Sequence, residues 1–185
     1  MKSYLLSTLA HQYRDLPLAL FEERVASAWL VWEPGAWTVP RERGQTTIIA
    51  DSGEEAPSAG GEALAIELAG TSSGPLQRSF GRGDACDLVI NDATLSSLHL
   101  VFMRGEGKRW TVRDAGSTNG SWLDGQALIQ GRPATLASGA LLKAGRVHLT
   151  FYDAEGLHGR LALEAVRKAQ RGLGPKAGSV QSAGS

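Results

Sequence analysis

The chain has 185 residues, enough for one medium domain and an appendage. Its 42% hydrophobic and 21% charged content is that of a globular protein. Lysine plus arginine equals aspartate plus glutamate at 19 each, so overall charge points to neither nucleic acid nor membrane as partner, and any anion recognition has to be local.

The opening run Tyr4-Leu5-Leu6-Ser7-Thr8-Leu9-Ala10 imitates a secretory leader. It is short, interrupted by polar residues, and followed by His11-Gln12-Tyr13-Arg14-Asp15 without a small-x-small cleavage site. No stretch approaches the roughly 18 to 20 apolar residues of a membrane helix. A soluble cytoplasmic protein without membrane insertion is expected. Leu5, Leu6, Leu9, Tyr13 and Leu16 recur at helical spacing. Pro17 then stands near the first turn of a second helix predicted to run to about Ala26. Trp29-Leu30-Val31-Trp32 and Thr46-Thr47-Ile48-Ile49 read as two strands joined through Pro34-Gly35 and the Arg41-Glu42-Arg43-Gly44 loop. Residues 1–51 are thus a small α+β region of unassigned role, and its Trp29, Trp32 and Trp37 are expected to pack on that region or on the domain that follows. The composition of residues 52–61 is that of a flexible linker.

From Glu62 to Asp153 the texture changes to short strands. Leu64, Ile66 and Leu68 alternate with Ala63, Ala65 and Glu67, the period of a half-buried strand. Further apolar runs stand at Leu88-Val89-Ile90, Leu100-Val101-Phe102-Met103, Trp110-Thr111-Val112, Trp122-Leu123, Ala127-Leu128, Leu141-Leu142 and Val147-His148-Leu149-Thr150-Phe151. Turn residues separate them, notably at Gly105-Glu106-Gly107, Asn119-Gly120 and Asp124-Gly125. Such a series predicts a β-sandwich or barrel. Beyond it, Leu157, Leu161, Ala165 and Lys168 share one face of a helix predicted over residues 156–172. Its Arg160, Arg167, Lys168 and Arg171 read as a solvated basic face. Residues 173–185 are expected to be a disordered tail.

Within the β-rich region four short pieces fall in one order. Gly81-Arg82 closes a strand, and Asp87-Leu88-Val89-Ile90 opens the next. Ser96-Ser97-Leu98-His99 precedes an apolar strand, and Asp114-Ala115-Gly116-Ser117-Thr118-Asn119-Gly120 follows another. Leu136-Ala137-Ser138-Gly139 leads into Leu141, Leu142 and Gly145. This ordered series resembles the forkhead-associated (FHA) family across residues 62–153. The resemblance implies a mainly β protein: an FHA-type antiparallel β-sandwich, with the α+β region before it and the helix after it. It also implies binding of phosphothreonine, preferred over phosphoserine through a small cavity for the threonine methyl.

The physical logic agrees. A phosphothreonine carries a charge of about −1.5 to −2 at neutral pH and three strong acceptor oxygens. Capturing it takes a permanent cation and short neutral donors on converging loops. Arg82 supplies the charge and a planar fork of donors. Ser96, Ser97 and Thr118 offer further donors, and Asn119, both donor and acceptor, suits the peptide backbone beside the phosphate. The resemblance gives Gly81 and His99 supporting roles, a tight turn and a brace for the binding loop. One departure stands out. Many family members have a basic residue after the loop serine and often read the peptide's third residue after the phosphothreonine near this loop. Here Ser97-Leu98 and the nearby Thr94 are uncharged, so an apolar or small residue is expected at that peptide position.

No catalytic motif accompanies this series. Gly81-Arg82-Gly83-Asp84-Ala85-Cys86 begins like a dinucleotide fingerprint but lacks the third glycine and a βαβ context. The lone Cys86 reads as a small packed side chain, and His11, His99, His148 and His158 lack ligand spacing. The expectations are no enzymatic activity, no metal and no cofactor. The expected partner is a phosphothreonine-containing protein, a Ser/Thr kinase or its substrate, and the expected role that of a signalling adaptor downstream of such a kinase. The alternative is a phosphate-independent structural subunit of a bacterial secretion or multiprotein assembly, with the same fold as scaffold.

Overall fold

The structure, a computed structural model, describes residues 2–25, 28–33, 47–49, 63–68 and 76–172. In chain order these form β1 (Ser3–Leu5), α1 (Leu6–Tyr13), α2 (Leu18–Arg24), β2 (Ala28–Trp32), β3 (Thr47–Ile49), β4 (Leu64–Glu67) and β5 (Leu76–Gly81). There follow β6 (Leu88–Asn91), β7 (Leu100–Arg104), a 3-10 turn (Glu106–Lys108), β8 (Trp110–Asp114), β9 (Ser121–Leu123), β10 (Gln126–Ala127) and β11 (Ala134–Thr135). The chain closes on β12 (Leu141–Ala144), β13 (Val147–Asp153) and α3 (Ala154–Gly172). No helix among the described residues is long and apolar enough to cross a membrane.

The strands make two sheets, one of seven strands in the order β1-β4-β2-β13-β12-β9-β10 and one of six in the order β11-β8-β7-β5-β6-β3. The sandwich foreseen from the strand series is present. The seven-stranded sheet is antiparallel throughout, while the other contains two parallel contacts, β5 with β6 and β6 with β3. Between the sheets lies a core that includes Leu30, Trp32, Ile66, Phe80, Ile90, Leu100, Phe102, Val112, Leu142 and Phe151. Such alternating residues point inward because successive strand side chains face opposite ways.

The described strands before residue 52 are part of the two sheets. β2 lies between β4 and β13, with Leu30 paired to Ile66 and to Phe151, and β1 adds an edge strand beside β4. This explains the unbroken apolar run at Trp29-Leu30-Val31-Trp32, where every residue is buried. Leu30 and Trp32 face the inter-sheet core. Trp29 and Val31 face the other way, into a second cluster with Leu6, Leu9 and Ala10 of α1, Phe21 of α2, and Leu157 and Leu161 of α3. Helices therefore cover part of the outer face of the seven-stranded sheet, and a strand buried on both faces has no alternation to read. Both strands expected in this region are present, but they enter different sheets: β3 pairs with β6 of the sheet opposite β2. The linker expected at 52–61, the tail at 173–185 and Trp37 lie outside the described residues.

The final helix starts at Ala154, directly after β13 and ahead of the expected Gly156. Its basic face also differs from expectation at Arg160, which is 8% exposed and paired with Glu164 at 2.9 Å and Glu33 at 3.3 Å. A guanidinium removed from water needs such partners, and the pair to Glu33 links α3 to the residue after β2.

Candidate functional site

Three loops meet beyond β5. The chain leaves β5 at Gly81, and the Arg82 and Gly83 N–H groups donate to the Ser96 and Ser97 carbonyls at 2.9 Å each. A Cβ on Gly81 would stand 2.4 Å from the Ser97 oxygen and 2.8 Å from the Ser96 oxygen. Gly81 is therefore required for space, since two backbones approach closer than any side chain permits. Cys86 adds a contact, its Sγ–H directed to the Ser97 oxygen at 3.0 Å, and burial foremost, then the Asp87 charge, pushes its thiol pKa up. A raised value opposes thiolate formation.

The loop after β8 is shaped by Asp114. Its carboxylate accepts from the Gly116 and Ser117 N–H groups at 2.7 Å each, from the Ser117 hydroxyl at 2.6 Å, and from the Ser121 hydroxyl. Burial works to raise its pKa, but these hydrogen bonds hold the carboxyl below the usual value. The Asp-x-Gly-Ser spacing is a local turn signal, an aspartate bonding backbone two residues on. That spacing is the signal in the sequence for Asp114 as the organiser of the loop, a role that sequence analysis did not assign to it.

His99, with no exposed surface, braces the two loops. The Ser96 N–H donates to Nδ1 at 3.1 Å, and Nε2 lies 3.1 Å from the Gly120 carbonyl oxygen. An accepting Nδ1 requires the proton on Nε2, so the ring is a neutral imidazole that donates to Gly120. Burial pushes its pKa below the ordinary value, against the opposing pull of the Gly120 carbonyl and the Asp114 charge.

The side chains chosen from the sequence gather around this brace. Ser96 Oγ accepts from the Thr118 N–H at 3.0 Å and lies 3.4 Å from the Thr118 hydroxyl. Asn119 Nδ2 donates to the Thr94 carbonyl at 2.8 Å. Arg82 is exposed, ties its Nε–H to the Leu95 carbonyl at 3.3 Å, and has no carboxylate partner among the described residues. Ser97 is exposed on the same loop, its carbonyl engaged by Gly83 and Cys86. Arg82, Ser96, Thr118 and Asn119 thus come together from three loops, with Ser97 adjoining and Gly81 and His99 beneath. Thr94 is a further anchor: its N–H and hydroxyl both donate to Asp92, and its carbonyl receives Asn119. The arrangement offers a cation that no described carboxylate pairs with and several hydroxyl and amide donors, a combination suited to an anion.

Residues 78–145 match the sequence model of the FHA domain family. Over those residues the chain is similar to an FHA domain. The matched span runs from β5 to the turn after β12 and holds every site residue named above, whereas β1, β2, β3, β4 and β13 lie outside it and complete the two sheets. Among curated proteins, the E3 ubiquitin-protein ligase rnf8 of Danio rerio is 33% identical over 76 residues, 36% of this chain and 15% of that protein. The chain therefore spans about 15% of the length of this curated relative. Among solved structures, the N-terminal FHA domain of S. cerevisiae Rad53p, in complex with a phosphothreonine peptide, is 18% identical with a TM-score of 0.49, covering 72% of this chain and 98% of that one. The FHA domain of the CT664 protein of Chlamydia trachomatis is 16% identical with a TM-score of 0.45, covering 69% and 98%.

Proposed function

We propose that this FHA domain reads phosphothreonine in a partner protein, and that the chain acts as a non-catalytic, cytoplasmic signalling adaptor downstream of a Ser/Thr kinase. The partner is the kinase itself or one of its substrates. The observation that carries the reading is an exposed Arg82 without a carboxylate partner, held beside the Ser96 and Thr118 hydroxyls on braced loops.

Arg82 has its terminal nitrogens left for phosphate oxygens, because only Nε is engaged by backbone. The Ser96 and Thr118 hydroxyls, 3.4 Å apart, rotate from each other toward the phosphate. Ser97 adds its hydroxyl from the same loop. Asn119 has one amide hydrogen fixed on Thr94, which leaves its other N–H and its carbonyl oxygen for the peptide backbone. Phosphothreonine is favoured over phosphoserine where the methyl fills a small cavity.

The test is fluorescence-polarisation binding of an oriented phosphothreonine peptide library, with phosphoserine and unmodified counterparts. Binding that requires phosphate and weakens with phosphoserine is expected. Equal binding of phosphorylated and unmodified peptides refutes the reading and leaves the sandwich as a phosphate-independent scaffold in a larger assembly.

A further inference from the structure

A cavity of about 440 Å³ lies where β1, β2 and β4 meet the helices α1 and α2. Each described residue that lines it falls between Lys2 and Glu67, outside the span matched to the FHA family and apart from the loops around Arg82. Trp29 and Glu67 are paired directly across β2 and β4, which puts both side chains on one face of the sheet. That face is the one the helices cover, since Trp29 packs with Leu9 of α1 and Phe21 of α2. The Trp29 ring is 4% exposed and meets Tyr4 of β1 at 6.0 Å between centroids, tilted by 48°. Tyr13, half-buried on α1, brings a third ring, held edge-on to Phe21 at 5.3 Å. The Glu67 N–H donates to the Lys2 carbonyl at 2.9 Å, which ties the edge strand to this wall.

Two carboxylates join the three rings, the half-buried Glu67 and the exposed Glu23 at the end of α2. Neither pairs with a cation among the described residues. An aromatic face is the negative side of the ring quadrupole and attracts an ammonium within about 6 Å of its centroid. Rings and carboxylates together therefore favour a cation. Lys2 and Arg24 line the same cavity, both exposed and both without a carboxylate partner among the described residues. A simple cation meets their repulsion, whereas a ligand that carries its own carboxylate makes partners of them.

We propose that this cavity binds a small zwitterionic ammonium carboxylate, its ammonium against Tyr4, Tyr13 and Trp29 and its carboxylate toward Lys2 and Arg24. Methyl groups on the nitrogen suit the site, because a quaternary ammonium keeps its charge while presenting an apolar surface to the rings. The volume stands at the small end of the roughly 300–1,000 Å³ of ligand pockets, which matches a compact molecule of this class.

The experiment titrates the full chain with glycine betaine, carnitine, choline and acetate, read by calorimetry and by amide chemical shifts. Choline supplies the cation alone and acetate the carboxylate alone. Wild type is expected to bind glycine betaine and carnitine, with choline weaker by roughly three- to tenfold and acetate not binding. Glu67→Gln, Glu23→Gln and Tyr13→Leu should each weaken glycine betaine by roughly three- to tenfold, and the two carboxamide variants should melt as wild type. Should Tyr13→Leu fail to fold, Glu67→Gln and Glu23→Gln carry the same comparison. Choline bound as tightly as glycine betaine overturns the zwitterion, and so does acetate bound as well as either. Absence of binding of both zwitterions by folded wild type, or unchanged affinity in the carboxamide variants, overturns the site.

Discussion

Replacing His99 by alanine removes the ring that joins the Ser96 N–H to the Gly120 carbonyl, at 3.1 Å on each side. Each bond contributes about 0.5–1.5 kcal/mol net, and a polar group left without a partner costs about 1–3 kcal/mol. Ser96 and Gly120 are half-buried, so water replaces part of what the ring supplied. The expected loss is then about 2–3 kcal/mol, a fall in melting temperature of roughly 4–12 °C for a chain of this size. The pH dependence gives an independent reading. Because burial holds the folded pKa below the ordinary 6.5, the unfolded chain binds the proton more readily. The stabilisation is therefore fully present above pH 6.5 and is lost as pH falls through the folded value. Protonation would place a hydrogen on Nδ1 facing the Ser96 N–H, donor against donor. Scanning calorimetry of wild type and His99→Ala across a pH series isolates this component, since Asp87 and Asp114, held below their ordinary 3.8, lose their contribution in a lower window. Melting within about 2 °C of wild type, with parallel pH curves, refutes the brace.

Gly81→Ala places a methyl 2.4 Å from the Ser97 oxygen. The overpacking should cost about 1–3 kcal/mol in urea denaturation and weaken phosphopeptide binding by more than roughly tenfold as the Ser96-Ser97 loop is pushed off; unchanged binding contradicts the close-approach argument. Asp114→Asn turns part of an all-acceptor group toward donors, with an expected loss of about 2 kcal/mol or more at pH 7. Since the Asp114 pKa is depressed, its stabilisation is present above pH 3.8 and lost as pH falls through the folded value, so the variant should show a flatter acid limb.

The β-sandwich was legible because alternating apolar runs and glycine-rich turns report half-buried strands, as at Val147-His148-Leu149. At Leu64-Ala65-Ile66 the expected half-buried strand is buried on both faces, Ala65 packing against the helices while Leu64 and Ile66 face the inter-sheet core. The membership of the sheets was not legible. Trp29-Leu30-Val31-Trp32 is apolar throughout because helices cover one face of β2 and the second sheet the other, a tertiary fact that leaves no period in the sequence. Its neighbour β4 lies far along the chain, so a linker-like composition at 52–61 gave no hint that β2 and β4 enter one sheet. At the site, Arg82, Ser96, Ser97, Thr118 and Asn119 were legible as residue types whose donors suit an anion and whose order resembles a family. Their mutual support was not, because the contacts of Thr94 to Asp92, Asn119 and Arg146 join segments with no local relation. Arg160 looked like a solvated cation although its nearer partner Glu164 is one helical turn away, because its second partner Glu33 is 127 positions away.

The most direct test of the central claim is isothermal titration of a phosphothreonine peptide into wild type and Arg82→Ala, with melting curves of both. Arg82 ties one nitrogen to backbone and pairs with no described carboxylate, so its removal should leave the melt within about 2 °C. Its loss from a desolvated ion pair with phosphate should weaken binding by roughly 30-fold or more. Retained affinity in Arg82→Ala, or a sharp fall in its melting temperature, would contradict the account, because the arginine would then serve the fold or nothing at all rather than the phosphate.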